Sequence, residues 1–274
     1  MHVTRFAPSP TGLLHLGHAH SALFARARGA RCLLRIEDID ATRCRPDFTQ
    51  ALIEDLAWLG LRFEGEVRVQ SAHMAQYRAA LDALAARGLL YPCFCTRADI
   101  AAAASAAHEA PGVYPGTCRG LPSGERARRL AEGLPHALRL DAARALAETG
   151  PLHATDVARG RIACDAAALA RAGGDVVLAR KDTPASYHLC VSHDDALQGV
   201  TLVTRGEDLL DATPVHRLLQ ALMGWPEPLY HHHGLIRGAD GKRLAKRDRA
   251  PTLRALRAAG HTPEAVRAMA GFPA

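Results

Sequence analysis

Short apolar runs and amphipathic segments alternate along the first sixty residues of the chain. The run VTRFA at residues 3–7 predicts a strand, and RCLLRIED at 31–38 predicts a second, buried strand. Between them, a Pro- and Gly-containing turn leads into a helix predicted from about Leu16 to Arg28. The segment DFTQALIEDLAWLGL has the spacing of an amphipathic helix with Asp47 as its N-cap. Strands that alternate with helices predict an α/β protein whose parallel sheet is covered on both faces.

The alternation is interrupted in the middle of the chain. From Tyr91 to about Ile162 the sequence becomes rich in Pro, Gly and Cys, which predicts an insertion between two halves of the sheet. Strand patterns return in DVVLARKD and GVTLVTRGED, and two short C-terminal helices are predicted with Thr252 and Thr262 in or near capping positions. The predicted segments are therefore a first half of the sheet at 1–90, an insertion at 91–162, a second half at 163–235, and a loop with short helices at 236–274.

Composition and charge limit the classes of molecule that the chain is expected to bind. The 274-residue chain has a formal charge of +6 with its histidines neutral, and its pI is about 9.1. This excess of positive charge favours polyanionic partners such as nucleic acid or nucleotide phosphates. An odd number of cysteines, seven, without a secretory signal argues against a disulfide framework. No window approaches the roughly 18 apolar residues of a membrane span, so we expect a cytoplasmic protein.

The N-terminal stretch RFAPSPTGLLHLGH, residues 5–18, has the composition of an anion site. A turn from a strand into a helix N-terminus directs unpaired backbone N–H groups and the helix dipole at a ligand. Gly12 and Gly17 would let phosphates approach the backbone, and His15 and His18 would project from one side of the first helical turn. The alternative is an ordinary strand-turn-helix whose histidines have no ligand.

Lysine usage points to a second candidate segment. Only Lys181, Lys242 and Lys246 are lysines among the 34 basic residues, and two of them lie in GKRLAKRD near the C-terminus. A compact, mobile ammonium suits a phosphate that moves during a reaction better than a planar guanidinium does. A solvated run of charges is the alternative interpretation.

Three cysteines indicate a metal site. Cys93 and Cys95 are separated by one residue, and Cys118 follows beyond a loop. Thiolates in such a cluster predict structural zinc, whereas the alternative is three buried free thiols. The run YHHHGLI could bring at most His231 and His233 together, because neighbouring side chains of a strand point to opposite faces. We interpret these histidines as ordinary strand residues.

Several of these segments together resemble one family. RFAPSPTGLLHLGH resembles the first signature of the class I aminoacyl-tRNA synthetases in its glutamyl form, with residues 15–18 as the HIGH tetrapeptide. KRLAKRD is similar to the second signature, KMSKS, with Lys246 at the second Lys, although Arg243 and Ala245 replace the first Lys and the Ser. RIEDID, YPCFCTR, DDALQGVTLVTRGEDLL and GWPEPLYHH resemble glutamyl-synthetase segments in the same order. The resemblance implies a Rossmann-like parallel sheet, an inserted subdomain at 91–162 that holds zinc and includes the acceptor-binding region, and short C-terminal helices.

The resemblance also implies an activity. Stand-alone members of this family, which have no anticodon-binding domain, are ligases that activate glutamate with ATP to glutamyl-adenylate without tRNA. They then transfer the glutamate onto queuosine in the anticodon loop of tRNA(Asp). We expect the same reaction here, in a monomer. The alternatives are a discrete glutamyl-tRNA synthetase that charges a tRNA 3′ end, and a non-catalytic synthetase paralogue.

Roles for individual residues follow from the matching motifs. The resemblance implies that Arg5 and Arg205 hold substrate carboxylate, that Glu37 pairs with the ammonium of glutamate, and that Tyr187 adds a hydroxyl. Bidentate binding of carboxylate is the geometry that arginine provides. The resemblance adds contacts from Ala7 and Ser9, completing the expected glutamate-binding set.

The same resemblance assigns the phosphates and the metal. His15, His18 and Lys246 are the expected catalytic residues; they also bind ATP, together with Gly17 and Arg243, and Mg²⁺ is expected to accompany ATP. The family pattern makes Tyr114 the fourth zinc ligand beside Cys93, Cys95 and Cys118. His108 is the chemically more conventional alternative.

Overall fold

The computed structural model describes residues 1–96, 98–100, 113–236 and 251–273. The strands are β1 (Val3–Phe6), β2 (Arg31–Ile36), β3 (Arg68–Val69), β4 (Leu90–Cys93), β5 (Ala137–Leu140), β6 (Leu152–Asp156), β7 (Gly160–Cys164), β8 (Val177–Ala179), β9 (Leu202–Gly206) and β10 (Leu229–His233). The helices are α1 (Leu16–Arg28), α2 (Pro46–Trp58), α3 (Met74–Ala86), α4 (Ser123–Ala131), α5 (Ala142–Thr149), α6 (Ala166–Arg171), α7 (Tyr187–Leu197), α8 (Thr213–Met223), α9 (Leu253–Ala258) and α10 (Pro263–Met269). Short 3₁₀ helices span Gln70–His73 and Glu207–Ala212.

Parallel strands form the centre of the fold. β1, β2 and β3 pair in parallel in that order. β9, β10 and β6 also pair in parallel, and β7 adds antiparallel to β6. The two groups lie side by side, because the N–H of Val3 donates to Oγ1 of Thr201 at 2.9 Å and the N–H of Thr201 donates to the Val3 carbonyl at 3.0 Å. The predicted parallel-sheet α/β architecture is confirmed.

Helix α1 begins and ends where the sequence predicted. His15 is its N-cap residue: Nδ1 of His15 accepts the N–H of Gly17 at 3.1 Å, and Nδ1 of His18 accepts the N–H of His15 at 3.2 Å. These reciprocal bonds satisfy backbone N–H groups that the start of a helix otherwise leaves unpaired. The signature histidines therefore also build the helix terminus on which they lie.

Helix α2 begins one residue before its predicted cap. Arg45 is the N-cap residue, Pro46 is the first helical residue, and no side chain caps the helix. The prediction that Asp47 is the cap is therefore wrong. Proline favours the first helical position because the N–H that it lacks would have no partner there. Asp47 instead lies in the first turn, where its charge interacts favourably with the helix dipole.

A second, antiparallel sheet consists of β4, β5 and β8. β8 comes from the segment 163–235, which was predicted to rejoin the main sheet. Conversely, β6 and most of β7 lie within the predicted insertion at 91–162, yet they join β10 in the main sheet. The predicted boundary at residue 162 therefore does not separate the two sheets. Pairing between short strands is non-local, and their hydrophobic patterns do not identify the partner.

The C-terminal helices support the turn that precedes α1. Thr252 and Thr262 cap α9 and α10 as predicted, since each hydroxyl accepts the backbone N–H three residues later, at 3.1 and 3.2 Å. The N–H of Leu253 donates to the carbonyl of Leu14 at 2.8 Å, and both side chains are buried in one core cluster with α1. Among the described residues, no helix combines the length and apolarity that crossing a bilayer requires.

Candidate active site

A cavity of about 450 Å³ opens at the carboxyl ends of β1, β2 and β9. In open α/β sheets, the crevice beyond the carboxyl ends of the strands is the usual place for a ligand. The N-terminal turn of α1 forms another wall of this cavity, which we call the first cavity. The sequence-predicted residues that line it are Arg5, Ala7, Ser9, His15, Gly17, His18, Glu37, Tyr187 and Arg205. The fold thus gathers candidates that the sequence separates by up to 200 positions.

The two signature histidines lie together at the start of α1, with ring centroids 3.9 Å apart. Because Nδ1 of each ring accepts a backbone N–H, a neutral ring carries its hydrogen on Nε2. This tautomer makes Nε2 a hydrogen-bond donor. Donors at the positive end of a helix are suited to phosphate oxygens.

Arg5 is held rigidly in the wall of the first cavity. It is only 5% exposed; Nε donates to Oδ1 of Asp195 and Nη1 donates to the carbonyl of Thr204, both at 2.9 Å. Nη2 of Arg35 donates to the same Asp195 oxygen at 2.6 Å. Burial alone would raise the pKa of Asp195, but the two guanidinium groups hold that pKa below its usual value. A guanidinium has five N–H bonds, so Arg5 retains donors for a ligand anion.

Arg205 is fixed by three side chains. Its Nε donates to Nε2 of His232 at 3.1 Å, Nη1 to Nδ1 of His216 at 2.9 Å, and Nη2 to Oγ1 of Thr213 at 2.6 Å. Two of its five N–H bonds remain for other acceptors. Holding the guanidinium plane from three sides removes rotamer freedom before a substrate binds, which reduces the entropic cost of binding.

His232 connects this arginine to a buried carboxylate. Nδ1 of His232 lies 2.6 Å from Oδ2 of Asp156, which also accepts the backbone N–H of His232 at 2.9 Å. Burial, together with Arg205, lowers the pKa of His232 to about 4. The neutral ring therefore accepts from Arg205 at Nε2 and donates from Nδ1 to Asp156.

Glu37 supplies a buried negative charge to the first cavity, whose lining also includes the exposed Asp208. It follows β2 and is 8% exposed; Nη1 of Arg35 lies 3.8 Å from its Oε1. Burial raises the pKa of Glu37 to about 7, against the opposing charges of Arg35 and Arg5. Among the described residues, no hydrogen-bond partner reaches the buried Oε1. Buried polar atoms are normally paired, so this oxygen has capacity for a cationic ligand group.

A second cavity of about 470 Å³ adjoins the first. Ser9, Thr11, Glu37 and Tyr187 line both cavities and therefore form the boundary between them. Burial raises the pKa of the Tyr187 phenol, so its hydroxyl stays protonated and can donate. A ligand group at this boundary would be accessible from both the first and the second cavity.

The residues of the second signature lie outside the described ranges; these are Arg243, Ala245 and Lys246, and His108 is outside them too. The chain on either side of the second signature is described. Ile236 lines the first cavity, and Thr252 pairs with His15 in a β-bridge. The described residues on either side of 237–250 are therefore at or beside the first cavity.

The predicted cysteines lie together at the edge of the second sheet. The sulfur atoms of Cys93, Cys95 and Cys118 are all within 4.8 Å of one another. Oη of Tyr114 lies 3.5 Å from the Cys93 sulfur and 3.7 Å from the Cys95 sulfur, and it accepts the N–H of Cys118 at 2.8 Å. Tetrahedral zinc with thiolate ligands needs sulfur atoms about 3.8 Å apart. The donor set fits a zinc ion with Tyr114 at its fourth position.

Three histidines near the first cavity were not predicted from the sequence. His216 and His232 bond Arg205, and His188 bonds His216. His232 is the middle residue of the run HHH, and strand alternation places it on the opposite face from His231 and His233, whose rings contact Phe24. The alternation rule could therefore have singled out His232, but no local signal pairs His188 with His216.

Comparisons with known proteins give a consistent result. A family model described as tRNA synthetases class I (E and Q), catalytic domain, matches residues 1–271. A Glutamyl-Q tRNA(Asp) synthetase from Rhodobacter capsulatus is 50% identical over 98% of this chain and 100% of its own length. A protein of the same name from Nocardia farcinica is 46% identical over 97% of this chain and 82% of its own. A crystal structure of a glutamate tRNA ligase from Elizabethkingia meningosepticum, in complex with its amino acid, matches with a TM-score of 0.79 and 28% identity, over 98% of this chain and 60% of the ligase.

Proposed function

This chain belongs to the catalytic-domain family of the class I tRNA synthetases for glutamate and glutamine, and we propose that it transfers glutamate onto queuosine in the anticodon loop of tRNA(Asp). It is a ligase of the aminoacyl-tRNA synthetase type. The names of two relatives, at 50% and 46% identity, support this acceptor. The single observation that carries the proposal is the first cavity, which combines two fixed guanidinium groups, a buried carboxylate and the N-terminus of α1.

Glutamate has two carboxylates and one ammonium, and the first cavity offers the opposite charges. In our proposal Arg5 and Arg205 bind carboxylate oxygens, and Oε1 of Glu37 accepts from the ammonium. Tyr187, Ala7 and Ser9 complete the contacts at the boundary between the cavities. A substrate without the side-chain carboxylate would leave a buried guanidinium unmatched, which costs several kcal/mol.

Activation requires no covalent enzyme intermediate. An oxygen of the substrate carboxylate attacks the α-phosphorus of ATP, the bond from that phosphorus to the bridging oxygen breaks, and pyrophosphate leaves with the electron pair. In our proposal His15 and His18 donate to phosphate oxygens beside Gly17, and Arg243 and Lys246 add positive charge. Such sites act mainly by positioning and charge stabilisation, and Mg²⁺ bound with ATP would neutralise phosphate charge.

Two assays test this proposal in one preparation. We expect glutamate-dependent exchange of labelled pyrophosphate into ATP without any tRNA. Labelled glutamate should then appear on tRNA(Asp) that contains queuosine and not on the same tRNA without it. Aspartate and glutamine in place of glutamate serve as controls for the substrate.

The alternatives give other results. Label on the 3′ end of tRNA(Glu) would identify a discrete glutamyl-tRNA synthetase, which the likeness to a glutamate tRNA ligase allows. Absence of exchange under all conditions would overturn the enzyme proposal and leave a non-catalytic paralogue. Exchange followed by label on neither RNA would contradict the proposed acceptor alone.

We also propose that zinc bound by Cys93, Cys95, Cys118 and Tyr114 stabilises the region around the second sheet. The cluster joins β4 to the loop that carries Cys118. Three of the five buried residues in the core cluster described there are proposed ligands, namely Cys93, Tyr114 and Cys118. Metal that binds only the folded chain adds its binding free energy to stability. The predicted role of this site is structural.

Replacing Cys118 with serine should remove the zinc. We expect elemental analysis to find about one equivalent of zinc in the parent protein and almost none in Cys118→Ser, because one thiolate of the set is lost. The melting temperature should fall on the order of 5–10 °C, in line with a structural metal. Cys44→Ser is the matched control, since Cys44 lies outside the cluster. An unchanged zinc content in Cys118→Ser would contradict this assignment.

A further inference from the structure

A directed chain of hydrogen bonds runs from Arg205 to the second cavity. Nη1 of Arg205 lies 2.9 Å from Nδ1 of His216, and Nε2 of His216 lies 3.1 Å from Nδ1 of His188. An arginine can only donate, so Nδ1 of His216 must accept. The hydrogen of a neutral His216 is then on Nε2, and Nδ1 of His188 must accept it. The remaining hydrogen of His188 is therefore on Nε2.

The same contacts keep both rings neutral. Burial, reinforced by the charge of Arg205, lowers the pKa of His188 to about 4 and that of His216 well below its ordinary value. Protonated His188 would direct its Nδ1–H at the Nε2–H of His216. His216 cannot relieve this conflict by reversing its tautomer, because a hydrogen on its Nδ1 would then face Arg205.

His188 itself lines the second cavity. It is partly buried and belongs to the lining of that cavity, as does its neighbour Tyr187. No hydrogen-bond partner for Nε2 of His188 is found in the part of the chain that the structure describes. The second cavity adjoins the first one at Glu37 and Tyr187, next to the place proposed for the glutamyl group. An acceptor nucleoside that approaches the activated carboxyl from this side would meet His188.

We propose that His188 is a specificity-determining residue of the transfer step, which donates a hydrogen bond from Nε2 to an oxygen or nitrogen lone pair of the acceptor nucleoside. His216 is its positioning residue, and Arg205 fixes the direction of the bonds. This inference rests on the proposed function, because it assumes that the second cavity receives the acceptor. It adds that Arg205, which is proposed to bind the amino acid, also determines that His188 donates rather than accepts the hydrogen bond to the acceptor nucleoside.

The locked tautomer also excludes His188 as the base of the transfer. In that step an acceptor oxygen bonds to the glutamyl carbonyl carbon, the bond from this carbon to the phosphate oxygen breaks, and AMP leaves with the electron pair. The acceptor must also lose a proton. A ring whose Nδ1 is occupied and whose Nε2 carries hydrogen cannot take that proton. The phosphate of the departing AMP has oxygen lone pairs that can accept it, which balances the step.

Separate assays of the two steps test the inference. We expect His188→Phe to keep glutamate-dependent pyrophosphate exchange, with a KM for glutamate within about threefold of the parent. Transfer to queuosine-containing tRNA(Asp) should fall about ten- to hundredfold, which corresponds to a loss of about 1.4 to 2.7 kcal/mol of hydrogen bonding. His188→Gln retains an N–H donor and should restore transfer to within about fivefold. His261→Phe, at an exposed histidine, is the matched control and should alter neither step.

Unchanged transfer in His188→Phe would overturn the inference. So would parallel losses of exchange and transfer with a raised KM for glutamate, because the ring would then merely support Arg205. Failure of the parent protein to exchange or transfer would instead overturn the proposed function.

The tautomers can be tested without any substrate. In ¹⁵N-histidine-labelled protein, with the resonance assigned through His188→Phe, we expect two-bond nitrogen–proton correlations to show a neutral ring with Nε2–H from pH 5.5 to pH 8. Titration of His188 near pH 6.5, or a hydrogen on its Nδ1, would overturn the proposed direction of the hydrogen bonds from Arg205 through His216 to His188. This result would not depend on which group the enzyme transfers.

Discussion

Replacing Arg205 with leucine is expected to lower kcat/KM for glutamate in pyrophosphate exchange by roughly 10²- to 10⁴-fold. Removal of one partner from a buried, hydrogen-bonded charge pair costs about 3–5 kcal/mol. In this variant the arginine is removed, and the substrate carboxylate is left without its charged partner. Arg205→Lys should lie between the parent and the leucine variant. Lysine restores the positive charge, but it lacks the planar guanidinium group that donates hydrogen bonds to His216, His232 and Thr213 at the same time.

The controls separate binding from folding. Arg171→Leu removes an arginine that is 63% exposed and is expected to leave exchange unchanged. Circular dichroism and thermal melting should show that Arg205→Leu remains folded. The proposed role would be contradicted if the loss of exchange were explained by a lowered melting temperature of Arg205→Leu. It would also be contradicted if folded Arg205→Leu had the same KM for glutamate as the parent.

The parts of the fold that depend on neighbouring residues could be predicted from the sequence. The start of α1 depends on His15, Gly17 and His18, which are within one helical turn of one another. The caps at Thr252 and Thr262 are equally local. The start of α2 was misplaced because two local signals competed and Pro46 outweighed Asp47.

The parts that depend on distant pairing could not be predicted. Nothing in the pattern of β8 identifies β5 as its partner, and the side chains that bond Arg205 of β9 come from two other elements, α8 and β10. Motif resemblance named Arg5, Glu37 and Arg205 as candidates, and the fold places them in one cavity. It did not name His188 or His216, whose significance depends on hydrogen-bond direction between side chains.

Glu37 connects the site to the stability of the protein. Its pKa is raised from 4.5 to about 7, first by burial and against the charges of Arg35 and Arg5. A carboxyl whose pKa is raised on folding binds its proton more tightly in the folded state. Ionisation of Glu37 is therefore destabilising: the cost is absent below about pH 4.5, grows up to about pH 7 and is then constant at about 3 kcal/mol.

We therefore expect Glu37→Gln to be more stable and less active than the parent. At pH 8 its melting temperature should be higher by on the order of 5 °C, because the neutral amide avoids the cost of a buried charge. At pH 4.5 the two proteins should melt at similar temperatures. The KM for glutamate at pH 8 should rise about ten- to hundredfold, since the substrate ammonium loses a charged partner.

The titration of Glu37 should also be visible in the pH dependence of kcat/KM of the parent enzyme. If ionised Glu37 binds the ammonium, kcat/KM for glutamate should rise about tenfold from pH 6 to pH 8, with an apparent pKa near 7, and this rise should be absent in Glu37→Gln. Glu148→Gln, at a carboxylate that is 43% exposed, is the control for both measurements. Equal melting temperatures at pH 8 would refute the burial cost, whereas a pH profile that survives in Glu37→Gln would assign the titration to another group. A variant that is stabilised and inactive would mean that the protein retains an unfavourable buried charge because glutamate requires it.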